Sequence, residues 1–382
     1  MKFAHMGDCH LGGWRQPELK ELNFTSFQRA IEICIREKVD FVLIAGDLFD
    51  SAYPPIDTLK DTFREFRKLA ESKIPVFLIA GSHDYSASGK TFLDVLEKAG
   101  FCKNVASSEE RNGKIILEPV IYKDVAIYGY PGKKSGLEVD DIERIRLQDA
   151  PGFFKILMLH TAIRDAVGTL PIKAVDERML PKVDYLALAH LHIRYQKEGR
   201  VYCGPIFPNN LAELEELEGG SFYIVDQGTI KRQELKIKPV LSMTIEITNA
   251  LTVTEEILKR LEKETLRDRI IIVKLYGFLE KGKTSDIDFT KLEAYAKKQG
   301  AYVFLKSTTK LQVAEQEITF DFSDTHDMEN QIIRKFEEGH PNVLNTHIIS
   351  LLRSLQMEKG EDEKSAVFEE RLVTETRKIL SL

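Results

Sequence analysis

Five short groups of residues in the first half of this chain have the types and spacing that metal chemistry needs: Asp8-Cys9-His10, Gly46-Asp47, Gly81-Ser82-His83-Asp84, His160 and His190-Leu191-His192. A pair of divalent cations held by Asp and His is a standard device for cutting phosphate esters at neutral pH. Bound water ionises more easily there, and the attacking and leaving oxygens are both stabilised. Such ions sit roughly 3.5–4 Å apart, so one carboxylate must bridge them. Asp47 is the candidate, because Gly46 before it lets the backbone turn sharply towards both ions. Asp8 and His10, at i and i+2, would point to one side of an extended segment and Cys9 to the other, and His190 and His192 repeat that spacing.

Each group directly follows an apolar run: Lys2 to Met6, Phe41 to Ala45, Val76 to Ala80, Phe154 to Leu159 and Tyr185 to Ala189. Runs of this kind read as strands buried on both faces, and open sheets gather ligands at the carboxyl ends of their strands. All five groups are therefore expected on one rim. Amphipathic helices are expected over Glu18 to Glu37, Ile56 to Glu71 and Lys90 to Lys98, with a short one near Val139 to Leu147. The strand and helix alternation of residues 1 to about 230 makes this an α/β region, and Pro239 marks its boundary.

The ordered series of motifs, with Gly46-Asp47-Leu48-Phe49-Asp50 as its second member, resembles the calcineurin-like metallophosphoesterases. The opening KFAHMGDCHLG, the motif spacing and the layout beyond are similar to the SbcD-type double-strand-break repair nucleases, partners of an SMC-like coiled-coil ATPase. That resemblance implies a two-sheet αββα sandwich, a small α+β capping domain and a helical C-terminal partner-binding segment. It implies that Asp8, His10, Asp47 and His192 surround one ion, and that Asp47, Ser82, His160 and His190 surround the other. His83 would face the scissile phosphate as a charge stabiliser or general acid, and Asp84 would orient its imidazole. Oxygen and imidazole donors without a thiolate suit Mn²⁺ or a similar first-row ion.

Two positions depart from the family pattern. Ser82 stands where the family has Asn, and a hydroxyl is a shorter, less well presented donor than an amide carbonyl, so a weaker second ion is expected. Asp50 stands where repair relatives often carry His, and a carboxylate near the phosphate would repel substrate unless it points away.

At 382 residues the chain is long enough for two or three domains, and the expected division is 1–238, 239–318 and 319–382. No apolar run approaches a membrane span, and Met1 leads straight into the first strand; a soluble, cytoplasmic or nucleoid-associated protein is expected. Cys9, Cys34, Cys102 and Cys203 lack paired spacing and read as reduced thiols. His5, His326, His340 and His347 stand apart from the motifs and read as structural or solvated, and Trp14 reads as a loop plug rather than a DNA contact.

Residues 240–305 read as strand, helix, strand, helix, strand, a small module with its own core. The chain carries a net charge of −6, yet residues 231–315 hold 17 basic against 12 acidic side chains. Lysine and arginine contacts to phosphate supply most nonspecific DNA affinity. Arg15, Lys133, Lys134, Lys231, Arg232, Lys281 and Lys283 are the candidate DNA contacts, against the plain alternative of solvated surface. Apolar stripes at Ile332, Ile333 and Phe336, at Leu344, Ile348, Leu351, Leu352 and Leu355, and at Val367, Phe368, Leu372 and Ile379 flank an acidic stretch from Glu358 to Glu363. They suggest helices laid on another protein, by resemblance the ATPase, or packed on this chain itself. Family members form homodimers through helices beside the catalytic sheets, so Leu59, Phe63, Phe92 and Leu96 are candidate contacts if exposed.

These readings converge on a DNA nuclease with two Mn²⁺ ions, exonuclease on duplex ends and endonuclease on single strands by resemblance. The alternatives are a phosphatase or phosphodiesterase of small substrates, or a DNA tether whose catalysis Ser82 has weakened.

Overall fold

A computed structural model describes residues 1–86, 91–168, 171–313, 343–357 and 365–380. Residues 1–313 form one compact unit, and the remainder belongs to a second.

Two six-stranded sheets carry the first region. In one, β1 (Lys2–Met6), β2 (Phe41–Ile44) and β3 (Val76–Leu78) run parallel, with Lys103–Asn104 beyond β3 and the antiparallel strands Gly220–Asp226 and Thr229–Leu235 beyond β1. In the other, Val125–Tyr130, Phe154–His160, Tyr185–Ala189 and Arg200–Tyr202 are parallel. Parallel central strands are covered on both faces, which is why their sequences are uniformly apolar.

Residues alternating along each strand fill separate layers. Phe3, Phe41, Leu43, Ile127, Ile156, Met158 and Tyr185 meet between the two sheets. Ala4, Val42 and Ile44 turn outwards onto the helices α1 (Pro17–Arg36), α2 (Ile56–Glu71) and α3 (Phe92–Lys98). On the other side, Leu157, Leu159, Leu186 and Leu188 pack against the short helix Glu138–Ile142. The result is the expected αββα sandwich. The segment expected as one helix to Leu147 divides, because Ile145–Leu147 pairs as a strand with Lys114–Leu117.

The small module begins with its first strand at Val240, directly after Pro239. Its strands Val240–Glu246, Ile270–Leu279 and Val303–Val313 are all parallel, joined by helices Ala250–Leu261 and Phe289–Lys298. Side chains alternate along the strands. Ile271, Val273 and Phe304 face the module's own helices, while Ile270, Ile272, Val303 and Leu305 pack with Leu19 and Leu22 of α1 and Leu214 of the helix Leu211–Leu217. Trp14 joins this second layer and its indole N–H donates to the Pro208 carbonyl at 2.8 Å, so it is a plug.

The helix residues offered as dimer contacts if exposed are not exposed. Leu59 and Leu96 lie in the core beneath α2 and α3, and Phe63 and Phe92 are half-buried against it. Among the described residues, Tyr53, Ile56 and Val95 are exposed apolar groups on or beside these helices.

In the second unit, helices Ile348–Leu355 and Ser365–Leu380 touch each other. Ile348, Leu351, Phe368 and Leu372 are half-buried, whereas Ile349, Leu352, Leu355, Val367 and Val373 are exposed. Ile332, Ile333, Phe336, the acidic stretch 358–363 and the side chain of Leu344 lie outside the described residues. No helix among the described residues is long and apolar enough to cross a membrane.

Candidate metal centre

The carboxyl ends of β1, β2, β3, Phe154–His160 and Tyr185–Ala189 deliver their side chains to one point between the sheets. Asp8, His10, Asp47 and His160 are buried there, and Ser82, His190 and His192 are half-buried. Ligand atoms of Asp8, His10 and His192 form one close group, and those of Asp8, Asp47 and His160 another.

Asp47 occupies the middle. Its Oδ2 lies 3.2 Å from His160 Nε2, 3.6 Å from His10 Nε2 and 3.5 Å from Ser82 Oγ. Gly46, at φ +100°, makes this possible, since a Cβ on it would stand 2.4 Å from the His160 ring. Gly81 is equally constrained, because a Cβ there would lie 2.2 Å from Asp47 Oδ1. Asp8 and His10 do not sit on an extended segment as expected: their φ angles are +47° and +42°. The chain coils through left-handed conformations, a local strain kept at the site by surrounding contacts. His190 also has positive φ, and its backbone N–H donates to both Asp8 oxygens at 3.0 and 3.1 Å.

The histidines are oriented from behind. His160 Nδ1 meets the Ala45 carbonyl at 3.0 Å, His10 Nδ1 meets Asp50 Oδ1 at 3.2 Å, and His192 Nδ1 meets Glu213 Oε1 at 2.9 Å. An oxygen on Nδ1 selects the tautomer whose bare Nε2 is the donor to a metal. In His160 that Nε2 is buried and makes no well-aligned hydrogen bond although Asp47 Oδ2 lies 3.2 Å away, the arrangement of a ligand atom beside a bridging carboxylate. The donor set therefore fits divalent metal ions.

Electrostatics agree. Burial would raise the Asp47 carboxyl, but His160 and His10 hold it well below the usual range. Burial would lower His160 and His192, but Asp47 beside the first and Asp8 and Glu213 beside the second raise each to about 9. His190 is lowered by burial and by His160.

Asp50, and not Asp84 as expected, lies against the His83 ring. The Asp84 carboxylate accepts from the amides of Leu48, Phe49 and Gly81 at 3.0–3.1 Å, bracing the loop that carries Asp47 instead of the His83 ring. Burial and the charge of Asp47 push it up to about 6. His83 is half-exposed at the mouth, its Nδ1 2.8 Å from the Asp50 carbonyl oxygen. Asp50 thus orients His83 with its backbone and His10 with its side chain. Glu213 and this use of Asp50 escaped the sequence reading. In the structure Asn210 caps the helix and Glu213 stands three residues on, a spacing common at any helix start and so no signal of a site.

The candidate DNA contacts scatter. Arg15 is exposed just after the first ligand loop, and Lys134 is exposed two residues beyond Gly132, which packs against His160. Lys133 is committed to an ion pair with Asp141. Lys231 lines a hollow with Lys2, Glu37 and Asp226 at the start of β1, the end opposite the ligands, so it does not reach the rim. Arg232 pairs with Glu234 at 2.6 Å. Lys281 and Lys283 lie on the turn after Ile270–Leu279, where Lys281 bridges to Asn249 through the backbone. The four cysteines are free thiols.

Sequence comparison adds one family match and three relatives. The family described as Calcineurin-like phosphoesterase matches residues 1–194. A DNA double-strand break repair protein Mre11 from Archaeoglobus fulgidus is 25% identical, across 95% of this chain and 82% of its own length. The Mre11 of Methanocaldococcus jannaschii is 31% identical over 59% of this chain and 62% of its own, and the uncharacterized metallophosphoesterase YhaO of Bacillus subtilis is 28% identical over 66% and 65%. The chain thus spans somewhat less than two thirds of these last two relatives.

Proposed function

Since the chain belongs to the calcineurin-like phosphoesterases, we propose that it is an SbcD-type DNA nuclease of double-strand-break repair, working with two Mn²⁺ ions. The observation that carries the phosphodiesterase reading is Asp47 Oδ2 standing between His160 and His10, the place of a bridging carboxylate. Cations bound there would supply an easily ionised water and neutralise charge on the phosphate.

The chain's own residues do the rest. Asp8, His10, Asp47 and His192 would hold one ion, and Asp47, Ser82, His160 and His190 the other. His83, with Nδ1 occupied by the Asp50 carbonyl, keeps Nε2 for the substrate and would donate a proton to the leaving oxygen. The Asp84 carboxylate keeps the Asp47 loop from relaxing when ions are absent.

DNA is the preferred substrate because relatives along most of the chain are named DNA repair proteins and because a basic module packs beside the catalytic sheets. That module would guide DNA through Lys281 and Lys283, aided by Arg15 and Lys134. The exposed Ile349, Leu352, Leu355, Val367 and Val373 support a docking role for the C-terminal helices on an SMC-like ATPase. Tyr53, Ile56 and Val95 support a homodimer face. Truncation after Val313 should leave metal binding intact and abolish ATPase association.

Hydrolysis of duplex DNA, single-stranded DNA and an aryl phosphodiester, with and without Mn²⁺ and with His83→Ala as control, tests the proposal. Mn²⁺-dependent DNA cleavage is expected. Turnover of the aryl ester alone would favour a small-substrate enzyme, and DNA binding without any hydrolysis would favour a tether, to which the hydroxyl at Ser82 lends weight.

A further inference from the structure

Behind His192 lies an arrangement that the family motifs do not include. The helix Leu211–Leu217 is only seven residues long, yet it touches the metal cluster on one side and the small module on the other. Glu213 Oε1 accepts the Nδ1–H of His192 at 2.9 Å. Glu213 is itself fixed, because the Asn209 amide donates to its Oε2 at 2.8 Å and the Asn210 side-chain amide to its Oε1 at 2.6 Å. Its own amide donates to Asn210 Oδ1 at 3.0 Å. A carboxylate with this many donors cannot swing away without losing several hydrogen bonds.

Two residues along a helix turn through about 200°, so Glu215 faces away from Glu213. Its Oε1 accepts from Ser242 Oγ at 2.9 Å, and its Oε2 pairs with Lys274. Ser242 and Lys274 belong to the first two strands of the small module. Leu214 is buried with Ile270 and Ile272 of that module.

We propose that Glu213 is a positioning residue for His192 and that the helix Leu211–Leu217 is a strut through which the small module sets the affinity of one of the two ions. This rests on the two-ion reading above. Glu213 directs His192 Nε2 towards Asp8 and His10, from which it lies 4.0 and 3.2 Å away. Displacement of the small module, which the proposed function gives to DNA, would move Glu215 and turn the helix. The change would then reach the site at His192 and spare His160, whose Nδ1 is held by the Ala45 carbonyl on the other sheet edge of the cluster. Losing such an outer partner typically costs ten- to a hundredfold in metal affinity.

Calorimetric titration of the full-length protein with Mn²⁺ tests this, using wild type, Glu213→Ala, Glu213→Gln and Glu215→Ala, with melting curves to verify folding. Wild type should take up two ions. Glu213→Ala should weaken one of them by about ten- to a hundredfold and leave the other unchanged. Glu213→Gln, whose amide oxygen can still accept from Nδ1–H while its NH₂ faces the Asn209 amide, should recover part of the loss, which a general loosening of the helix would not allow. Glu215→Ala should weaken the same ion several-fold. Equal affinities in wild type and Glu213→Ala would overturn the positioning role, and equal affinities in wild type and Glu215→Ala would overturn the strut. Wild type that binds fewer than two ions would overturn the two-ion reading itself, a result visible before any variant is compared.

Discussion

His83 Nδ1 lies 2.8 Å from the main-chain carbonyl oxygen of Asp50. A backbone acceptor survives side-chain substitution, so the shorter of the two Asp50 contacts to His83 remains when the carboxylate, 3.6 Å from the same nitrogen, is replaced. His83→Ala should lower Mn²⁺-dependent turnover by about 10²–10⁴-fold, the usual contribution of an acid–base group, with Mn²⁺ affinity unchanged. Asp50→Asn should fall far short of that loss. An equal loss in both variants, measured as kcat on a single-stranded oligonucleotide, would contradict the assignment.

Asp84 braces the Asp47 loop through three backbone amides. Replacement by Asn puts an NH₂ group against at least one of those N–H donors. Asp84→Asn should therefore cost about 2–4 kcal/mol of stability in urea unfolding, since hydrogen bonds to a buried charge are lost. Metal affinity should drop with it as Asp47 loses its support. A stability change below about 0.5 kcal/mol, the range of an indifferent surface substitution, would show that the loop stands without Asp84.

Ser82 Oγ reaches Asp47 Oδ2 only at 3.5 Å, a long contact for a group expected to help hold the second ion. Ser82→Asn supplies a carbonyl oxygen on a longer arm and should tighten that ion by about tenfold, equivalent to about 1.4 kcal/mol. Mn²⁺ titration of the two proteins measures it directly. Identical isotherms and identical rates would remove any handicap from the serine.

Without metal, neighbouring carboxylates outweigh burial and raise His160 and His192 to about 9 from an ordinary 6.5. Both rings are then protonated at neutral pH, and a metal ion must displace those protons. Mn²⁺ affinity should rise between pH 6.5 and 9, about tenfold per unit for each proton displaced. The metal-free protein should behave in the opposite sense: stability from the charged rings is complete below about 6.5 and is lost as pH rises through 9. Titrations at pH 6.5, 7.5 and 8.5 giving one affinity would contradict these protonation states.

Much of this site was legible in the sequence, for a physical reason. Strands buried on both faces must be apolar throughout, so Phe41 to Ile44 or Tyr185 to Ala189 announce themselves, and the polar residues that follow them stand out as candidate ligands. Side-chain alternation failed at Asp8 and His10, because that rule assumes extended backbone and both residues have positive φ without being glycine. Glu213 and the backbone role of Asp50 were hidden because hydrogen bonds across 21 and 33 positions leave no spacing signal. Leu59 and Leu96 show the same limit for packing: an apolar helix face reveals that something covers it, and here the chain's own core does. The ion pair of Lys133 with Asp141 was likewise hidden, because nothing in the spacing places the two side chains together.

The central claim is a single pocket in which Asp47 bridges two cations. Anomalous diffraction from a crystal soaked in manganese tests it most directly. Two peaks are predicted about 3.5–4 Å apart, with Asp47 between them, His192 on one and His160 on the other. A single peak, or two peaks that do not share Asp47, would contradict the account.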